Sequence, residues 1–302
     1  MIAQIGIGTL GLSGKYQNLS PDNAKKIIKS IEGANFEIID SATVYAEGGN
    51  SIDNLFSENE VFKDKSVYFK IGADNLTGNV DSLINEFNVA YAHYGKMLKC
   101  VMLHRTDEKL AKIHKVFFQF MRENHANILL GISTHSDSVL DFYSELNIDL
   151  VQAPLNLIDY LGNINIFLKA KRFGLITQAR SCLASGLLSG RYAKEDLNNF
   201  HDSIRGRYKE DLDKIRTYNK RIESVDRVMD FYKIVCKKYN LNISMSNFAY
   251  SIIANLECVD HIIVGGTTLE QVYDNISLKE MPVDLMSDIL KEYVYDWQGT
   301  AL

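Results

Sequence analysis

Proline is scarce in this chain: three residues among 302. No run rich in proline, glycine or serine interrupts it, so nothing reads as a linker between domains. The four cysteines, Cys100, Cys182, Cys236 and Cys258, lie far apart, with no CxxC pair and no histidine at metal-binding spacing. That argues against a metal centre or a disulfide framework and leaves them as small buried hydrophobes. No window of about 18 apolar residues offers a membrane span. The N-terminus lacks the basic region and apolar run of a signal peptide. Positive charge is not in excess either: the net charge is -5, which gives no support for nucleic-acid or membrane-surface binding. A cytoplasmic location is the default expectation.

What the chain does have is alternation. Its composition, 46% hydrophobic and 24% charged, is that of a globular protein. Short apolar runs read as strands at Ile2–Ile7, Phe36–Asp40, Val67–Ile71, Lys99–His104, Ile128–Ser133, Leu150–Ala153, Leu175–Ala179 and His261–Val264. Helical patterns fall between them. Ser20 caps the first helix with Pro21 at its first position, and Gly33 is expected to end it. Further helices are expected over 80–94, 109–124, 137–146, 163–173, 214–239, 244–255 and 268–276. Eight strands alternating with helices in one domain-sized chain point to an α/β fold of the (β/α)8 TIM-barrel type, a single domain over 1–302. An open doubly wound sheet is the alternative. Its GxGxxG fingerprint is incomplete, since Gly6-Ile-Gly8-Thr9-Leu10-Gly11 lacks the third glycine at its spacing.

The strand ends carry the chemistry. Thr9 follows the first and Asp40 ends the second, with Tyr45 five residues on. Lys70 lies near the end of the third, and His104 ends the fourth. Ser133-Thr134, Gln152, Arg180-Ser181 and Gly265-Gly266 follow on the remaining strands. Singly, each has a structural explanation: a helix cap for Asp40, a snorkelling lysine, a satisfied core histidine. In a parallel barrel they converge on one mouth. A lysine beside a tyrosine would stabilise phenolate and lower the tyrosine pKa from about 10. A carboxylate would hold the lysine charged, and a histidine could orient a carbonyl oxygen. Tyr45 would then be a general acid for a carbonyl or a base for an alcohol, with hydride supplied by a cofactor.

From Ile5 to about Asn275 the chain resembles the aldo-keto reductase superfamily. The matching pieces are Gly6-Ile-Gly8-Thr9, Asp40-Ser-Ala-Thr-Val-Tyr45, Lys70, Leu103-His104, Gly131-Ile-Ser133, Val151-Gln152, Gly186-Leu-Leu-Ser-Gly190 and Val264-Gly-Gly-Thr-Thr-Leu-Glu-Gln-Val-Tyr-Asp-Asn275. The resemblance implies a barrel that binds NADP(H) or NAD(H) without a Rossmann domain. It implies Tyr45 as proton donor with Asp40, Lys70 and His104 completing a tetrad, and no metal. Thr9, Asp40 and Arg180 would adjoin the cofactor. Ser133, Thr134 and Gln152 would face its carboxamide, and Ser181, Leu183 and Ser185 its pyrophosphate. Gly265, Gly266, Thr267, Thr268, Gln271 and Asn275 would hold the adenosine half, at a helix N-terminus suited to phosphate. The chain departs from the pattern in four places, one being the glutamate and glycine usual just after the tyrosine motif, which are shifted here into Ala46-Glu-Gly-Gly-Asn50. Thr134 replaces an asparagine, and Arg180 stands where many members stack an aromatic. Gly265, Thr268 and Gln271 stand where a Lys or Arg pattern grips the 2′-phosphate, so the family's NADPH preference loses its usual basis and the choice between NADPH and NADH stays open, with Arg180 or a lysine of the long loop able to compensate.

The function expected from these residues is interconversion of a small-molecule carbonyl and alcohol. A cofactor-binding sensor or subunit with vestigial catalysis is the alternative, and a Schiff-base lyase using Lys70 is a third reading. Selectivity would lie in loops about Tyr16, 46–50 and 185–207 and in the C-terminal tail, 277–302, with Trp297 near its end as a candidate cap over the site. Glu47, Asn50, Arg105 and Arg180 would make a polar rim suited to a sugar or sugar derivative.

Overall fold

The computed structural model describes residues 2–16, 19–48, 62–73, 79–202 and 204–288. Eight parallel strands close a barrel in sequence order. They are β1 Gln4–Gly8, β2 Ile38–Ala42, β3 Ser66–Ile71, β4 Leu98–Leu103, β5 Leu129–Ser133, β6 Leu150–Pro154, β7 Ile176–Arg180 and β8 His261–Val264. Pairing of β1 with β8, from Gln4 opposite His261 to Ile7 opposite Val264, closes the ring and excludes the open sheet. Helices lie between the strands, and most of the buried apolar side chains pack between those helices and the outer barrel face.

Local chemistry explains most boundaries. Ser20 accepts from the Asn23 amide at 3.3 Å and starts the helix Pro21–Ser30. Gly33 does not end it. The helix stops at Ser30, the Ile31 amide donates the closing hydrogen bonds to the Ile27 and Ile28 carbonyls, and Gly33 is not left-handed. The expected helix 137–146 shrinks to Val139–Tyr143 plus a 3-10 turn ended by left-handed Asn147. The largest strand correction is at β2, which Asp40 does not terminate. Its backbone continues to pair with β3, Ser41 with Phe69 and Ala42 with Lys70. A polar side chain stops an apolar pattern in sequence but not a backbone ladder, because the ladder uses only peptide groups.

The interior alternates with period two. Ile38, Tyr68, Cys100, Met102, Leu150 and Ile263 form a separate apolar cluster, with Leu129 and Ile176 packed on it. On β2, β3, β6 and β7 the next residue on the same face is Asp40, Lys70, Gln152 and Gln178. Glycine on β1 makes room for this layer: a Cβ on Gly6 would lie 2.6 Å from Ile263 Cδ1.

The long segment after β7 is built from three 3-10 turns, Leu187–Ser189, Lys194–Asn199 and Gly206–Lys209. Arg205 ties it down. The guanidinium of this buried residue donates to Asp202 at 2.8 Å, to the Tyr192 hydroxyl and to the Tyr16 carbonyl at 3.1 Å. It lies 4.9 Å from the Phe200 ring centre, so charge pairing and ring contact both offset its burial. The helix Leu212–Tyr239 follows, anchored by Arg221 on Asp159 at 3.0 and 2.7 Å. In the tail, Lys279 and Met281 donate their amides to Ser251 and Asn255, near the barrel end opposite the strand C-termini. Residues 289–302, with Trp297, lie outside the described residues. Among those described, no helix is long and apolar enough to cross a membrane and no side-chain group could hold a metal ion. The four cysteines are free thiols.

Candidate active site

At the C-terminal mouth of the barrel lies a cavity of about 580 Å3, within the range of small-molecule sites. Asp40, Lys70, His104 and Tyr45 line one part of it, and Gly265, Gly266, Thr267, Gln271 and Asn275 line another. Ser181, Leu183 and Ser185 also contribute to the wall.

Asp40 and Lys70 are buried, 3% and 1% exposed, and form a direct ion pair. Two charges at such burial persist only when paired and further hydrogen-bonded. Gln152 supplies that second contact, its Nε2 donating to Asp40 Oδ2 at 2.7 Å and to Gln178 Oε1 at 2.6 Å. The Lys70 ammonium lies 5.3 Å from the centre of the Tyr45 ring, and the His104 ring meets Tyr45 edge-on at 6.1 Å. Contrary to the sequence-based expectation, Tyr45 is not lowered. Burial pushes its phenol above 10, against the opposing pull of Lys70. The lysine charge is shared with Asp40, whose own charge acts the other way. His104 is pushed down to about 3, by burial first and then by Lys70, Arg180 and Lys15. At neutral pH the site therefore holds a protonated phenol, a neutral imidazole and a closed ion pair. That set can donate a proton to a carbonyl oxygen and orient it with a hydrogen bond.

Several expected cofactor residues sit behind the wall. Thr9 is buried and donates to Ser41 at 3.0 Å. Ser133 donates to Gln152 at 3.3 Å, and the Thr134 hydroxyl closes a turn onto the Ser136 carbonyl at 3.2 Å. None of these, nor Gln152, lines the cavity. Thr268 caps the helix Leu269–Ile276 and is exposed. Arg105 is also exposed, off the cavity. The side chains of Glu47 and Asn50, the other rim residues, lie outside the described residues.

Three features of the cavity wall mark it as a ligand site. Two buried polar atoms on its wall, His104 Nδ1 and Asn275 Oδ1, have no partner, and buried polar atoms ordinarily have one. Gly11 and Gly266 approach so closely that a Cβ on Gly11 would meet the Gly266 carbonyl at 2.6 Å. After β7, Ser181, Ala184 and Ser185 take left-handed φ of 56°, 50° and 61°, followed by Gly186 at 91°. Strained backbone of this kind clusters at ligand sites, and such turns present amides to anions.

The sequence reading missed Gln178, Lys15, His135, Tyr192, Arg205 and Tyr250. For Gln178 there was a signal: Ile176, Gln178 and Arg180 alternate in phase with Leu150 and Gln152. The others come from loops and a helix, where no period exists to read.

The barrel is similar to several solved structures. A glycerol dehydrogenase, AKR11B4 from Gluconobacter oxydans, matches at 19% identity with TM-score 0.69, over 99% of this chain and 92% of that one. The aldo-keto reductase AKR11C1 from Bacillus halodurans, in its holo form, matches at 14% identity with TM-score 0.68, over 96% of this chain and 92% of that one. The aldo-keto reductase MGS-M4 from a Medee basin deep-sea metagenome library matches at 15% identity with TM-score 0.65, over 95% and 89%. No protein-family model and no curated sequence matches the chain. At these identities the likeness establishes a shared fold: this is the barrel that aldo-keto reductases use.

Proposed function

We propose that this chain is a nicotinamide-dependent oxidoreductase of the aldo-keto reductase kind, interconverting a carbonyl and an alcohol on a small molecule. The observation that carries the reading is one cavity joining the Tyr45–Lys70–Asp40–His104 cluster to the loop and helix start at Gly265–Gln271. A bound nicotinamide dinucleotide would supply the hydride. Ser181, Leu183 and Ser185 would lie along its pyrophosphate, and Gly265, Gly266, Thr267, Gln271 and Asn275 along its adenosine half. Tyr45 donates the proton to the carbonyl oxygen in reduction and takes it back in oxidation. Lys70 lies beside the phenol and favours the phenolate as it forms. Asp40 fixes Lys70, and Gln152 fixes Asp40. His104, being neutral, orients the carbonyl oxygen by hydrogen bonding.

Two alternatives have less support. A Schiff base on Lys70 needs a free neutral amine, whereas its ammonium is paired with Asp40 inside the barrel. A vestigial sensor would not need the ion pair and phenol to share one wall.

The first turn of the helix Leu269–Ile276 carries Glu270 and no cation. Gln271 turns its amide oxygen onto Thr267, at 2.9 Å from the amide and 3.2 Å from the hydroxyl. A 2′-phosphate there would find no guanidinium or ammonium from this helix turn. The test is a fluorescence titration with NADH and, separately, NADPH. NADH is expected to bind at least as tightly as NADPH. Binding of neither would remove the nicotinamide reading.

A further inference from the structure

Arg180 ends β7 and lines the cavity in the part that holds Tyr45 and His104. Its guanidinium reaches across to the β5 end of the mouth. Nε donates to the Ser133 hydroxyl at 3.3 Å, one terminal nitrogen to the Ser181 hydroxyl at 3.4 Å, and the other contacts His135 Nε2 at 3.0 Å. Arginine has no acceptor, so Nε2 of His135 must be the acceptor and that ring is neutral. All three partners are uncharged. Among the described residues no carboxylate lies within ion-pair distance of Arg180. Among the described residues the two fully buried cations on the cavity wall each have one: Lys70 has Asp40, and Arg205 has Asp202.

A guanidinium has five N–H groups, and three are committed here. The remaining two are one on each terminal nitrogen, the fork that receives both oxygens of a carboxylate. The charge acts on the reacting groups, since Arg180 opposes protonation of His104 and favours ionised Tyr45. A half-buried cation without a counter-ion is costly until an anion arrives.

We propose that Arg180, oriented by Ser133 and His135, binds a carboxylate on the substrate, so that the substrate class is a carbonyl compound bearing a carboxylate and the corresponding hydroxy acid. This rests on the oxidoreductase reading above for the reaction, but the anion site can be tested without it. It also narrows the polar-rim expectation: the discriminating rim group is a cation.

The experiment pairs an acid with its uncharged amide. Steady-state rates with succinic semialdehyde and succinamic semialdehyde are measured at saturating cofactor for the wild type, Arg180→Gln and Arg180→Lys. The acid is expected to be favoured in kcat/KM by about tenfold or more, a typical margin for a charged hydrogen-bonded contact. Arg180→Gln should erase that preference, raising KM for the acid about tenfold or more over any change in KM for the amide. Arg180→Lys should keep part of it. Equal use of acid and amide by the wild type would overturn the proposal. So would an equal loss on both in Arg180→Gln accompanied by weaker dinucleotide binding, which would make Arg180 a cofactor contact. Calorimetric titration of the full chain with 4-hydroxybutyrate and its amide reads the site independently of turnover. Binding of the acid but not the amide, lost in Arg180→Gln, supports the clamp even if no dinucleotide binds and the oxidoreductase reading falls. No preference for the acid there removes the clamp, whatever the enzyme reduces.

Discussion

The lower and upper halves of the barrel lumen are made by the same strands with the same alternation, yet they do opposite things. In the lower half Ile38, Tyr68, Cys100 and Leu150 meet as an apolar cluster. Two residues further along four of the strands stand Asp40, Lys70, Gln152 and Gln178, linked by an ion pair and amide hydrogen bonds. The lower layer stabilises by removing apolar surface from water. The upper layer carries buried charge, and the loop above it carries three left-handed non-glycine residues, each costing about 1–3 kcal/mol in general. A barrel of this kind can hold a costly polar floor under its mouth because the apolar layer beneath it and the shell of helices around it keep the strands in register.

The largest effect is expected at Tyr45. Tyr45→Phe removes the proposed proton donor and should lower kcat by about 10^2–10^4-fold, while dinucleotide affinity, read by fluorescence titration, is expected to be unchanged. Next comes the polar floor. Lys70→Met leaves the Asp40 carboxylate buried without its partner and should cost about 3–5 kcal/mol of stability in urea unfolding. The double variant Lys70→Met, Asp40→Leu should recover most of that loss while remaining inactive. If the double variant were as unstable as the single, the floor would not be held by the ion pair.

The lower half should respond in the opposite sense. Leu150→Ala opens a cavity in the apolar layer and should cost about 2–5 kcal/mol, yet leave KM unchanged, since Leu150 lies off the cavity at the mouth. Taken one pH unit at a time, the smallest effect is that of protonation. His104 at the mouth and His261 at the foot of the lumen are both held neutral, at about 3 and about 4, chiefly by burial. In the unfolded chain each takes a proton near 6.5. Between those values the unfolded state binds more protons, so stability is complete above pH 6.5 and falls as pH drops towards 4. The slope is at most about 1.4 kcal/mol per pH unit for each histidine, and urea midpoints across that window read it. Over pH 5–8 kcat/KM should show no histidine step, because His104 stays neutral and Tyr45 protonated throughout.

How much of this was legible varied with the kind of residue. Asp40, Lys70 and His104 could be read because each interrupts an apolar strand run, and the structure places them with Tyr45 on one cavity. Ser133, Thr134 and Gln152 were legible as strand-end polar residues, but their facing was not. Gln152 turns out to brace Asp40 and Gln178, and Thr134 closes a local turn. The state of Tyr45 was misjudged for a related reason. A neighbouring lysine argues for a lowered phenol, but the pairing of that lysine with Asp40 and the depth of burial are properties of the packed mouth.

The order of residues alone set the alternation of strands and helices and hence the barrel, because backbone pairing and apolar periodicity are local and repeat along the chain. It also determined which residue types reach the mouth. Tertiary structure alone decided which of them face one another. Arg205 bracing Tyr16 from 189 residues away, Arg180 turned to His135 with no carboxylate among the described residues, and the neutral state of His104 all depend on desolvation and distance between segments remote in the chain. Neither quantity exists until the barrel has closed.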